Sequence, residues 1–313
     1  MFRKNNSAGG DRGRHGGYNV PIMNSCAGER TGMSETRGKR LVNYHTHTWR
    51  CLHAQGMEAA YVRRAIDEGF EVLGFADHTP WPYKSGFVSG MRMRLDQLQD
   101  YLDTVGALRR KHAEQILIPV GLECEAFPAY MGWLSELKES SLDYLILGNH
   151  YDATDEGDHV AFDEAGGFYF GRCTRPEHIR RYAQRTIAGM ETGLFDYVAH
   201  PDLFCHTYLR FDGDCRAASR DICAAAKALD IPLEYNLLGV QYHADVSEAG
   251  MLGYPCAGFW EVAAETGCKA IIGFDAHRPE HLDRLDLYER AAQFLEALKI
   301  ERIEYLDRPG LHR

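Results

Sequence analysis

From residue 39 onward, short apolar runs alternate with amphipathic stretches along the chain. LVNYH (41–45) is a short apolar run ending in polar residues, and MEAAYVRRAIDEGF (57–70) has helical spacing with Gly69 as its stop. VLGFADH (72–78) predicts a strand, RLDQLQDYLDTVGALRRKH (94–112) a long amphipathic helix, and ILIPVGLE (116–123) a buried strand. MGWLSELKES (131–140) reads as a helix and LDYLILGNH (142–150) as a strand, followed by a polar, glycine-containing loop over about 152–172. RPEHIRRYAQRTIAGMETG (175–193) is a helix with Pro near its start and Gly at its end. Next come FDYVAH (195–200), a helix near 214–229, PLEYN (232–236), a loop at 237–256, a helix at 257–266 and KAIIGFDAH (269–277). A last helix at 279–298 precedes a short strand, RIEYL.

These are about seven βα units with short apolar strands. Repeated βα alternation predicts an α/β fold with a parallel sheet, and this many units points to a closed or nearly closed barrel. An open, doubly wound sheet is the competitor, but no GxGxxG opens the first helix to favour it. Residues 1–38 differ: rich in Gly, Arg, Asn and Ser, they lack apolar periodicity and cannot bury enough surface to offset their ordering entropy. They are expected to form a disordered extension, with Met23 or Met33 as alternative natural starts, and the domain is expected to occupy residues 39–313.

Composition narrows the function class. The formal net charge is −10, with 45% hydrophobic and 26% charged residues. That balance argues against nucleic-acid or anionic-membrane partners, which need clustered Lys and Arg. The nine cysteines include no CxxC pair and read as reduced thiols. No apolar run approaches the ~18–20 residues of a membrane span, and no signal-peptide core is visible, so the expected location is cytoplasmic.

The candidate chemistry lies at the strand ends. His45 and His47 end the first strand, Asp77 and His78 the second, Glu123 the third, His150 the fourth, His200 the fifth, and Asp275 and His277 the last of the series. In a βα barrel these ends meet at one face. Residues two apart in a strand point the same way, so His45 and His47, like Asp275 and His277, can reach a common ion. So many titratable groups in one small volume would cost several kcal/mol per buried charge without counter-ions, and metal ions supply that compensation. His53, in the loop after the first strand, is on the correct face to join them, whereas Cys51 reads as a small buried side chain. Imidazole-rich sites with a few carboxylates suit zinc, iron or manganese.

HTHTWRCLHAQG, GFADHTP, GLECEAFP, LGNHY, VAHPDLF and GFDAHRPEHL resemble, in order and spacing, the motifs of the PHP (polymerase and histidinol phosphatase) superfamily, closest to its histidinol-phosphatase branch. The resemblance covers about residues 41–285 and implies a distorted (βα)7 TIM-like barrel with three divalent metal ions (Zn, Fe or Mn). Carried onto this chain, one ion takes His45, His47, Glu123 and Asp275. A second shares Glu123 and takes His150 and His200; a third takes His53, His78 and His277. Glu125 is the alternative bridge, and Asp77 is expected to support His78 or Thr79 from behind.

The expected reaction is hydrolysis of a small phosphate ester by a metal-activated hydroxide. The catalytic candidates are His200 or Asp275 as proton donor and Arg278 as a phosphate contact, with Arg92, Arg94, Arg172 and Arg175 as further phosphate-binding candidates. Trp81, Pro82 and Tyr83 are expected either to line the substrate pocket or to cover the barrel rim. The branch implies L-histidinol phosphate and a step of histidine biosynthesis. In that branch the segment after EYN is usually of an Asn-Thr-Ser-Gly-Leu-Arg type. Here it reads Asn236-Leu237-Leu238-Gly239-Val240-Gln241, without the basic residue, which keeps another small phosphate ester as an alternative. An amidohydrolase and a non-catalytic metal-binding module are the remaining readings. The first commonly needs a bridging lysine, and no strand-end lysine is present.

Overall fold

A computed structural model describes residues 41–84, 87, 89–152, 168–308 and 310–311. The extension expected over 1–38 and most of the loop expected over 152–172 lie outside the described residues. Strands and helices alternate as the apolar pattern predicts. β1 (Leu41–Asn43) pairs with β2 (Phe70–Leu73), and β3 (Gly121–Cys124), β4 (Tyr144–Leu147), β5 (Tyr197–Val198), β6 (Leu233–Asn236), β7 (Lys269–Gly273) and β8 (Glu301–Arg302) form a second sheet in chain order. Every pairing is parallel. β3 and β4 are buried at every position, which is why they read as continuous apolar runs and not as alternating ones.

The regular ladders do not close into one ring. Isolated parallel bridges join the two sheets at both seams: Val72–Leu117, Phe75–Val120 and His78–Glu123 on one side, and Thr46–Ala276 on the other. β8 pairs with the first residues of β7, so the chain after β1 meets β7 only beyond its end, at Ala276. Pro119 interrupts the run ILIPVGLE because it lacks a backbone donor, and the regular strand is confined to Gly121–Cys124. The result is a distorted α/β barrel in which isolated bridges, not regular ladders, link the two sheets.

The helices follow local chemistry. α1 (Glu58–Glu68) stops at Gly69, whose φ of 81° lets its N–H reach the Ala65 and Ile66 carbonyls. α2 (Leu98–Lys111), α3 (Met131–Ser141) and α4 (Pro176–Glu191) follow, the last opened by its proline. α5 (Gly213–Ala228) is capped by the Asp212 carboxylate, which accepts from the Asp214 and Cys215 N–H groups. α7 (Ala257–Thr266) and α8 (Leu285–Ala297) complete the expected set.

One expectation fails. Residues 237–256 are not all loop, because α6 spans Leu237–Glu248. Gly239 lowers the local helix propensity and hides it from the sequence pattern. Asn236 caps the start of this helix, its Oδ1 accepting from the Gly239 N–H at 2.8 Å.

Inside the strands, Val42, Tyr44, Val72, Tyr144, Ile146, Tyr197 and Ile271 pack with Leu306 and Leu311 into a filled core. Tyr44 Oη donates to the Leu311 carbonyl at 2.6 Å and Tyr144 Oη to that of Phe75 at 2.9 Å. The interior between the strands is therefore filled by apolar side chains and tyrosines. Among the described residues no helix is long and apolar enough to cross a membrane, and the cysteines are all free and buried.

Candidate metal centre

Backbone pairing brings distant segments together. His47 N donates to the Ala276 carbonyl at 2.9 Å and Ala276 N to that of His45 at 3.0 Å, so His45 and His47 stand beside Asp275 and His277. The His78–Glu123 bridge aligns the ends of β2 and β3. His150 and His200 follow β4 and β5. His200 and Asp275 both have positive φ, 30° and 48°. This conformation is costly for non-glycine residues and is characteristic of functional positions. All the ligand-type residues singled out from the sequence converge here, with His53 and His277 toward the outer rim.

Glu123 lies at the middle. Its Oε2 is 3.4 Å from His45 Nε2, 3.4 Å from His47 Nε2 and 3.0 Å from His78 Nδ1. Its Oε1 is 2.8 Å from His200 Nε2 and 3.6 Å from His150 Nε2. Asp275 Oδ1 is 3.5 Å from His45 Nε2, 3.2 Å from His47 Nε2 and 3.3 Å from His277 Nδ1. One carboxylate thus faces two sets of imidazoles with its two oxygens.

The donor set fits divalent cations. His45 Nε2, His47 Nε2, Glu123 Oε2 and Asp275 Oδ1 are all buried without a hydrogen-bond partner, a state costing ~1–3 kcal/mol per atom. Their 3.2–3.5 Å separations match the ~3.4 Å edge of a tetrahedron with ~2.1 Å metal–ligand bonds. His45 Nδ1 lies 2.8 Å from Glu234 Oε1, so that nitrogen holds a ring proton and Nε2 is the atom turned inward toward an ion. At the rim, His53 Nδ1 and His277 Nδ1 donate to the carbonyls of Cys51 and Asp275, at 2.8 and 3.0 Å. Their Nε2 atoms then meet at 3.0 Å, and two lone pairs at that distance need a shared cation or proton. His45, His47 and Asp275 can hold one ion; His78, Glu123 and His150 another; His47, His78 and His277 a further one.

Protonation follows from burial against charge. Burial alone would depress His45, yet Asp275, Glu234 and Glu123 raise its pKa well above the usual imidazole value. Burial and the neighbouring His277 push His47 down to about 3 and His53 to about 4. Burial opposes charge on Asp275, but His45, His277 and His47 hold its carboxyl well below the ordinary range. An ionised Asp275 is an acceptor, the form required of a ligand.

Further expectations are corrected. Glu125 cannot serve as the bridge, because Arg92 grips both its oxygens at 3.0 Å and Trp81 Nε1 donates to it at 3.0 Å. Arg92 is therefore buried structural machinery and not a phosphate contact. Arg94 pairs with Asp96 and Arg175 with Glu177, both on exposed surface. Asp77 accepts from Thr48 N at 2.8 Å and Thr48 Oγ1 at 2.7 Å; it braces the turn after β1 and not His78 or Thr79. Trp81 packs on Phe127, Tyr130 and Trp133, and with Pro82 and Tyr83 lines a separate cavity of about 350 Å³. The cavity that opens on the imidazoles is about 540 Å³, and its wall includes Tyr169, Arg172, Gln241, Tyr254 and Arg278.

Sequence reasoning missed Glu234. It is fully buried in β6, between His45 and His200. Its signal was an acid inside an otherwise apolar strand, LEYN, where only a buried partner justifies a charge.

Comparison with known proteins agrees with this geometry. The PHP domain family model matches residues 43–236. A probable histidinol-phosphatase of Deinococcus radiodurans is 29% identical over 261 residues, 76% of this chain and 87% of the relative. Two solved structures share the fold. One is the putative histidinol phosphatase hisK from Listeria monocytogenes, with TM-score 0.61 and 20% identity, covering 78% of this chain and 97% of that one. The other is histidinol phosphate phosphatase from Lactococcus lactis, complexed with zinc, L-histidinol and phosphate, with TM-score 0.62 and 17% identity, covering 84% and 95%.

Proposed function

This chain belongs to the PHP domain family, and on that footing we propose that it is a metal-dependent phosphatase that hydrolyses L-histidinol phosphate to L-histidinol and phosphate. The observation that carries the reading is Glu123, whose two oxygens face two groups of imidazoles while Asp275 completes the first group. Three ions of zinc, iron or manganese are proposed. His45, His47, Glu123 and Asp275 hold the first; Glu123, His150 and His200 the second; His53, His78 and His277 the third. When bound, such ions acidify a water and neutralise phosphoryl oxygens.

The side chains supply the rest. Glu234 and the backbone carbonyls behind His53 and His277 keep the imidazoles in the form that presents a lone pair inward. Arg172 and Arg278, on the cavity wall, bind phosphate oxygens by charge-assisted hydrogen bonds. Tyr169 and Tyr254 shape the space beside them for a small planar substrate body. His200 directs Nε2 at Glu123, so a ligand role suits it better than proton donation, and the leaving oxygen takes its proton from solvent in the open cavity. Residues 39–313 form the proposed catalytic unit, with residues 1–38 as an extension outside it. The acidic balance and free cysteines support a cytoplasmic setting without a nucleic-acid partner.

Gln241 favours a second reading of the substrate. It lies on the cavity wall, in the segment where the branch usually carries a basic residue, and this supports a different small phosphomonoester. Phosphate release from a panel including histidinol phosphate, with and without chelator, tests both. Turnover unaffected by complete metal removal would refute the mechanism, and preference for another ester would refute the named substrate.

A further inference from the structure

Glu234 and Asn236 are two apart in β6 and project to the same side of the strand. Both are fully buried. The Glu234 carboxylate accepts from three donors: His45 Nδ1 at 2.8 Å, His200 N at 3.2 Å and Asn236 Nδ2 at 2.8 Å. Asn236 Nδ2 also donates to Asp275 Oδ2 at 3.0 Å. The chain leaves room for this pair. A β-carbon on Gly273 would overlap Glu234 Oε1.

We propose that Glu234 and Asn236 are a positioning pair that orients ligands from three other strand ends at once, namely His45, His200 and Asp275. The inference rests on reading those three residues as metal ligands. An acceptor-only carboxylate against His45 Nδ1 obliges that nitrogen to carry the ring proton, which leaves Nε2 free for an ion. The same carboxylate ties down the backbone of His200, and Asn236 ties down one oxygen of Asp275. Those are the two ligands with left-handed backbone conformations. Such conformations persist only where surrounding contacts over-determine them. Asn236 also starts α6 through Gly239, so the metal centre and the Gln241-bearing cavity wall share one anchor.

Glu234→Gln tests the pair. The amide keeps the shape but puts a donor against either His45 Nδ1–H or the His200 and Asn236 N–H groups. Zinc affinity of the full chain, measured by competition with a chromophoric chelator, is expected to fall by about 10–100-fold. The melting temperature of the metal-free variant is expected to fall as well, because the buried partner of His45 has lost its charge, so zinc affinity is the readout that separates a positioning role from a structural one. A purely structural role predicts the lower metal-free melting temperature with unchanged zinc affinity, which would overturn the proposal. Should Glu234→Gln fail to fold, Asn236→Leu removes the link to Asp275 at similar volume, and wild-type zinc affinity in that variant would overturn it equally. A wild-type chain that binds no zinc would refute the metal-centre reading itself. Wild-type binding with an undisturbed variant would refute only the positioning role.

Discussion

Gly148 packs its bare α-carbon against the Glu123 carboxylate, where any β-carbon would overlap Oε1. It sits just past β4, with its N–H donating to the Cys124 carbonyl at 2.8 Å, so it cannot retreat without breaking the β3–β4 ladder. The smallest residue at the end of β4 is thus what lets the carboxylate of neighbouring β3 stand between the imidazoles.

Gly148→Ala is therefore expected to displace Glu123 while leaving most of the barrel intact. Overpacking should cost about 1–3 kcal/mol of stability, and loss of the central carboxylate geometry should cut turnover at least ~100-fold. Circular dichroism with elemental analysis checks this. A folded variant with full metal content and full activity would contradict the central role of Glu123.

The arginines separate by role. Arg172→Ala and Arg278→Ala should raise KM for a phosphate ester by about 10–100-fold each, the effect of one lost hydrogen bond to a charged group, with little change in melting temperature. Arg92→Ala should do the opposite. It strands the buried Glu125 carboxylate and should cost about 3–5 kcal/mol of stability. Thermal denaturation beside steady-state kinetics distinguishes the two patterns.

His53 lies at the exposed rim with His277, whereas His45 is fully buried in the first ligand group. His45→Ala should abolish turnover. His53→Ala should lower the metal content by one ion per chain and leave residual activity. Equal loss from both substitutions would argue against separate ion positions.

The imidazoles set a pH dependence. In the metal-free chain burial opposes charge on His45, His200 and His277, yet the nearby carboxylates, Asp275 and Glu123 foremost, raise all three above 6.5. Folded-state values above the unfolded one give stability that is complete below pH 6.5 and disappears as pH rises through them. His47 at about 3 and His53 at about 4 act in the other direction, costing stability as pH falls below 6.5. The metal-free protein should therefore lose melting temperature from neutral to alkaline pH. The metal-loaded protein should not, and metal uptake near neutral pH should release protons. Calorimetry in buffers of different ionisation enthalpy measures that release, and its absence would contradict the assigned ligands.

Much of this protein was legible in its sequence because two local signals are strong. The alternation of apolar strands and amphipathic helices requires only side-chain periodicity, and Gly69, Pro176 and Asp212 mark helix ends through backbone chemistry that operates within a few residues. Strand-end placement of His45, Glu123, His150, His200 and Asp275 indicated convergence, since parallel strands in a barrel present their ends at one face.

What the tertiary structure decided were the contacts between residues far apart in the chain. Whether Glu123 or Glu125 stands at the centre depended on Arg92, which holds one and leaves the other to the imidazoles. The role of Glu234 depended on a donor some 190 residues earlier. Periodicity is a property of neighbours and can be read along the chain. A buried charge is satisfied by whichever partner folding brings to it, and no local pattern names that partner.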